Sequence, residues 1–300
     1  MVKLKSLLLF ILTVIATSFS IATPEQDIVN IVIPIPPEQL QGGGNNFGLK
    51  IRAYLREPID ELSSYVVANL LTSVLADGDN LGEIGRRTMV YEPPYHLVLI
   101  DITPESTAKI TRRLALDCLY QSIAWLSQHQ FVRAEFTLMA DERDIVKAAY
   151  TVHVPDVPVV SGVEDAGANQ TLDIDRDPRV VPAYRPNGRD LTNAEVFISA
   201  IAATKSQAWQ DKNARMSSFR DSVSFLDAYV EVRGIDSPIP DPELSVIGFI
   251  IAMWKMPFWM LQEGRLADIS GTILYNEVPK GEALIIKGRP LAKGANPDTS

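Results

Sequence analysis

Three imidazoles and one thiol make up the His and Cys chemistry of this 300-residue chain: His96, His129, His153 and Cys118. No two histidines have the spacing of a zinc-protease helix, and no Gly-x-Ser-x-Gly elbow, phosphate-binding loop or dinucleotide fingerprint occurs. His96 and His153 fall in extended runs and His129 at a helix end, so each reads first as a structural residue; a site built from them in the first half is the form a hydrolase would take. Cys118 follows Leu114 by four residues and precedes Leu119 in a helical pattern, which places it as a buried, inert thiol. A single cysteine rules out an intramolecular disulfide, so apolar packing alone must hold each half together. Two acidic stretches, Asp173, Asp175 and Asp177, and Asp77 and Asp79 with Glu83, gather oxygens at alternating positions as calcium loops do. Neither has the twelve-residue spacing with a terminal bidentate Glu, so both read as solvated loops, and no metal ligand or cofactor is assigned. Glu142 and Glu277 read as charged hairpin tips rather than as a facing pair of catalytic carboxylates.

A stronger signal is apolar. Residues 246–261, Val-Ile-Gly-Phe-Ile-Ile-Ala-Met-Trp-Lys-Met-Pro-Phe-Trp-Met-Leu, carry one charge, Lys255. A helix apolar on all sides must be covered on all sides. Packing between two domains is the first reading and a protein partner or identical subunit the second, with Phe249, Met253, Trp254, Met256, Phe258 and Trp259 as candidate partner-binding residues. For a membrane span the run is barely long enough, and Lys255 and Pro257 interrupt it.

The elements that would position these residues come twice. At an offset of 130, Ala53-Tyr54 falls on Ala183-Tyr184, Asp60 on Asp190 and Val66 on Val196; at 135, Leu126 falls on Leu261, Thr137 on Thr272, Glu142 on Glu277, Ala148 on Ala283 and Pro155 on Pro290. Thr103-Pro104-Glu105 and Asp241-Pro242-Glu243 each resemble a helix start, predicting second helices over 105–127 and 242–262. The second-half helix thus has a first-half counterpart whose Lys109, Arg112, Arg113, Asp117 and Gln121 suit a solvated face. Asp60 is the expected cap of the first helix, and Thr192 with Glu195 forms a capping box for its counterpart. Extended runs at 88–91, 95–102, 133–139 and 148–154, and at 228–232, 269–275 and 283–287, supply the strands.

The fold class expected is α+β: two tandem α-β-β-α-β-β sandwiches from an internal duplication. Each has a four-stranded antiparallel sheet with two helices on one face, an order that resembles a ferredoxin-like plait with its first strand moved to the end. The halves span 47–155 and 183–290, joined by an exposed linker (156–182) and ending in a flexible tail (291–300). Residues 23–46 read as an extended segment with a Gly-rich link, in which 28–35 makes at most an edge strand because of its prolines.

Residues 1–22 read as a secretory signal, with Lys3 and Lys5 before an apolar core and Ser20-Ile21-Ala22 as the cleavage site. Asn169-Gln170-Thr171 in the linker is a glycosylation acceptor. A net charge of −9 without a basic stripe argues against nucleic acid and anionic membranes as partners. The function expected is that of a secreted, non-enzymatic interaction protein. Its partner would dock on the apolar second helix of the second half or in the groove between the halves. The alternatives are a hydrolase with a site in the first half and a precursor cut into two small proteins.

Overall fold

Local chemistry sets the helix starts. Asp60 accepts the Ser63 N–H at 2.6 Å and opens α1 (Glu61–Ala76), and the Thr192–Glu195 capping box opens α3 (Asn193–Gln207) with both reciprocal bonds made. The other two helices begin later than the Thr-Pro-Glu and Asp-Pro-Glu triplets predict. α2 (Arg112–Gln128) follows Thr111, while Thr103-Pro104 closes a strand and the Glu105 N–H bonds Ile145. α4 (Val246–Gln262) is capped by Ser245, whose hydroxyl accepts the Gly248 N–H; residues 241–243 lie outside the described residues. A Thr-Pro pair suits a strand end as well as a helix start, because proline fixes one dihedral angle and leaves the other open.

A computed structural model describes residues 27–36, 46–77, 82–105, 110–154, 178–216, 218–234 and 244–288. Residues 1–22, expected to be a secretory signal, Asn169 and residues 291–300 lie outside them. The fold is α+β, with four helices and two antiparallel sheets among the described residues. Six strands, β1 (Ile28–Ile35), β2 (Phe47–Pro58), β3 (Arg87–Val90), β4 (Val98–Pro104), β5 (Val132–Ala140) and β6 (Arg143–Val152), form one sheet in the order β1-β2-β5-β6-β4-β3. Five strands, β7 (Arg179–Tyr184), β8 (Ser218–Ser222), β9 (Ala228–Gly234), β10 (Ile269–Tyr275) and β11 (Val278–Lys287), form the other in the order β7-β10-β11-β9-β8.

The expectation of four-stranded sheets is corrected, because each half gains a strand ahead of its first helix. β2 alternates Leu49, Ile51 and Ala53 toward the core with Lys50 and Arg52 outward, a pattern obscured by the Gly-rich run before it. β7 lies where the linker was expected. Its Pro182 is tolerated because β7, among the described residues, is an edge strand bonded only to β10. β1 is likewise an edge strand among the described residues, carrying Pro34 and bonded only to β2.

Both halves therefore run β-α-β-β-α-β-β, and their ladders agree in detail. Ala134 faces Tyr150 and Ile269 faces Ile285; the register shifts between Leu138 and Met139 in one hairpin and between Ile273 and Leu274 in the other. Each of these partners lies 135 residues from its counterpart. The hairpin tips match as well, with Asp141 and Glu142 at φ 48° and 65° and Asn276 and Glu277 at 50° and 63°, the left-handed pairs of a two-residue turn. Ahead of α1 and α3 the sequence alignment is shifted: Ile59 bonds Phe131 as Leu191 bonds Leu266, which puts Asp60 opposite Thr192 rather than Asp190.

The helices pack on the inner face of their own sheet and against each other, α1 on α3 and α4, and α2 on α3, giving the layer order sheet, helices, helices, sheet. The buried apolar residues of the two halves form one continuous cluster, and the rings of Tyr65 and Phe197 stack across it at 5.7 Å. A polar bond crosses the same layer as well. Pro257 inside α4 has no N–H to give the Met253 carbonyl one turn back, and Asn69 Nδ2 of α1 donates to that carbonyl at 3.3 Å.

Candidate functional site

The apolar residues of α4 are largely covered by the chain itself. Phe249, Met253 and Met256 are fully buried and form no surface. Trp254 stacks on Phe258 at 5.5 Å, and the loop after β3 closes over both: Tyr91 meets Trp254 at 6.0 Å and Phe258 at 5.4 Å, and Tyr95 meets Phe258 at 6.5 Å. Trp259 rests on Tyr184 at 4.9 Å. Phe258 and Trp259 keep partial exposure, so the six candidate residues do not make one open face.

Among the described residues the matching place on the other side of the molecule is open. There α2, α3, the end of β1 and the β8–β9 loop enclose a groove of about 830 Å³. Counted from the helix caps, Tyr120 of α2 stands where Trp254 stands in α4, and Ala124 where Phe258 stands. The loop between β8 and β9 has five residues against seven between β3 and β4, and Phe225 is its sole aromatic residue, in place of Tyr91 and Tyr95. A small residue and a shorter loop leave unfilled the volume that four rings occupy opposite. Ile33, Ile35, Leu49 and Val223 line the groove with Phe225, which is 39% exposed.

Its polar floor joins the two halves. Lys205 of α3 reaches Asp117 of α2 at 2.7 Å, with side chains 10% and 2% exposed, and its ammonium lies 4.8 Å from the centre of the Tyr120 ring. Burial holds the Asp117 carboxyl above the usual aspartate range, although Lys205 and Arg113 both favour its charged form. Asp221, at the end of β8, is also raised by burial against the Ser222 N–H, the Ser206 hydroxyl and Lys205. Tyr120 is pushed up to about 12 by burial, with Asp221 adding to the effect. Asp117 was expected on a solvated face; it is buried because Lys205 of the other half covers it. Neither Lys205 nor Asp221 carries a local sequence signal, since each gains its meaning from a residue far along the chain.

Of the three histidines, His129 alone lines the groove. It stacks on Trp125 at 4.2 Å with Nδ1 at 2.9 Å from the Trp125 carbonyl. His96 precedes β4 and His153 follows β6, and no Ser or Cys is hydrogen-bonded to an imidazole among the described residues. Cys118 is buried, its thiol pushed up to about 12 by burial, with Sγ 3.7 Å from the Phe136 and Val146 carbonyls. Among the described residues no three His, Cys, Asp or Glu side chains converge as a metal site would require. Asp77 pairs with Lys212 of the other half at 3.3 Å and Glu83 bridges to Thr111, while Asp79, Asp173, Asp175 and Asp177 lie outside the described residues. Glu142 and Glu277 sit at the hairpin tips, the latter paired with Arg179 at 3.1 Å. The groove thus offers apolar walls, amide and hydroxyl groups, the His129 imidazole, the Asp221 carboxyl and a neutralised ion pair. No protein-family model, curated protein or solved structure matches the chain.

Proposed function

We propose that the chain is a secreted, non-enzymatic interaction protein that captures a protein partner in the groove between its halves, and that the halves descend from one doubled unit. The duplication is supported by the shared element order, strand order, hairpin register shift and turn geometry. Export rests on residues 1–22 and is consistent with Asn169 as an acceptor for sugar. One observation favours the groove over α4 as the binding surface. Tyr91, Tyr95, Trp254 and Phe258 fill one side of the helix layer, whereas Tyr120 and Ala124 leave the other side open with Phe225 at its mouth.

The test places a benzophenone side chain at Phe225 and, as a control, at Leu55, which is exposed on β2. In the medium of the cells that secrete the protein, irradiation should give a cross-linked partner from position 225 and none from 55. The adduct should vanish when Ala124→Trp fills the groove. Equal cross-linking at both positions, or an adduct that survives Ala124→Trp, would contradict the proposal.

A further inference from the structure

We infer that the occupant of the groove is an extended polypeptide strand that adds to the free edge of β1 and sends alternate, uncharged side chains into the groove. The inference rests on the groove being a binding site. Among the described residues β1 ends its sheet and bonds only β2, so along Ile28–Ile35 every second backbone position directs its N–H and C=O away from the sheet, Pro34 supplying a carbonyl alone. Edge strands of soluble proteins are ordinarily blunted by charge. The eight residues Ile-Val-Asn-Ile-Val-Ile-Pro-Ile contain none, and Val32 and Ile33 are 59% and 37% exposed.

The register connects this edge to the groove. Ile33 and Ile35 pair with Leu49 and Phe47 on the inner face, and Ile33, Ile35 and Leu49 line the groove, while Val32 pairs with Lys50 on the outer face. A strand laid beside β1 continues that inner face, so every second side chain of the newcomer points where Ile33 and Ile35 point. The opposite wall is the end of β8, which terminates the other sheet, so the groove is bounded by two sheet edges. A polypeptide backbone has the donors and acceptors that such edges lack partners for among the described residues. The cation of the lining, Lys205, is already matched by Asp117, and the carboxylate of the lining, Asp221, accepts the Ser222 N–H at 2.8 Å and faces the Ser206 hydroxyl and Lys205, so both charges have partners, which favours apolar or neutral side chains at the inward positions.

The probe is a positional-scanning library of linear octapeptides, with binding to the full chain read by fluorescence anisotropy. The expected result is a preference for β-branched and aromatic residues at alternate positions. N-methylation of alternate peptide amides should weaken binding by about tenfold or more, and so should Val32→Lys, whose side chain stands outside the groove. An unchanged melting temperature for Val32→Lys would show that its fold is intact. Binding without alternation, or binding indifferent to N-methylation and to Val32→Lys, would overturn the inference. A dimer of the chain that Val32→Lys dissolves would also overturn it, by assigning the edge to a second copy. If cross-linking at position 225 persists while the peptide results fail, strand docking falls and the groove stands as a binding site; if both fail, the groove reading falls with it.

Discussion

Asn69 and Pro257 make a single unit although they lie on different helices and in different halves. Pro257 leaves the Met253 carbonyl without its helical donor, and Asn69 supplies the missing hydrogen bond inside a fully buried layer. Replacing Asn69 by Ala should cost roughly 1–3 kcal/mol, the penalty of an orphaned buried carbonyl plus a small cavity. In a Pro257→Ala background the helix can satisfy that carbonyl itself, so the cost should fall clearly below that value. Chemical denaturation of the four variants measures the difference, and equal costs in the two backgrounds would contradict the pairing. The buried carboxylates lend themselves to a second measurement. Burial raises Asp221 in the folded protein above its unfolded value, so the stability it contributes is present below the ordinary aspartate pKa of about 3.9 and is lost as pH rises through the folded value. Asp117 acts in the same sense. Glu231 acts in the opposite sense, because hydrogen bonds from Arg233 and Arg220 overcome the effect of burial and lower it. Asp221→Asn removes one of these terms. Its melting temperature relative to the parent should therefore be more favourable at pH 7 than at pH 4, and an equal difference at both would show that Asp221 titrates in its ordinary range.

At the scale of elements, α4 and the loop after β3 form a filled joint, and α2 with the shorter β8–β9 loop forms an open one. Removing Tyr91 and Tyr95 together as alanines should cost roughly 2 kcal/mol of stability and raise the acrylamide quenching of tryptophan emission as Trp254 meets solvent. Unchanged quenching would mean that something else covers the helix. Much of this level was legible in the sequence. The hairpins at 133–154 and 269–287 declared themselves by alternation, and the Thr192–Glu195 box by the chemistry of a helix start. β2 and β7 were hidden because their flanks, Gly42 to Gly44 and the Pro-rich stretch before Tyr184, speak for loop, and only pairing with β5 and β10 makes strands of them. β8, Ser-Phe-Arg-Asp-Ser, is too short and too polar to stand out from a loop. That α4 needed cover on every side followed from its composition. That Tyr91 and Tyr95 would supply part of it did not, since nothing local relates residue 91 to residue 254.

For the whole molecule, the helix layers face inward and the buried apolar residues of the two halves make one core, so each half's helices are covered in part by its counterpart. The groove is a product of that meeting and of the departure from symmetry between its two sides. Its floor, Lys205 on Asp117, could not be read from the sequence, where Asp117 looked like one more polar residue on a helix with a wet face. The same pair reports most directly on whether the halves meet as described. The measurement is the coupling free energy between Asp117 and Lys205, from the stabilities of the parent, Asp117→Leu, Lys205→Met and the double variant. Each single change should cost roughly 3–5 kcal/mol by stranding a buried charge, and the double variant should be close to neutral, leaving a coupling of several kcal/mol. Additive effects, with no coupling, would mean that α2 and α3 do not meet and that no groove lies between them.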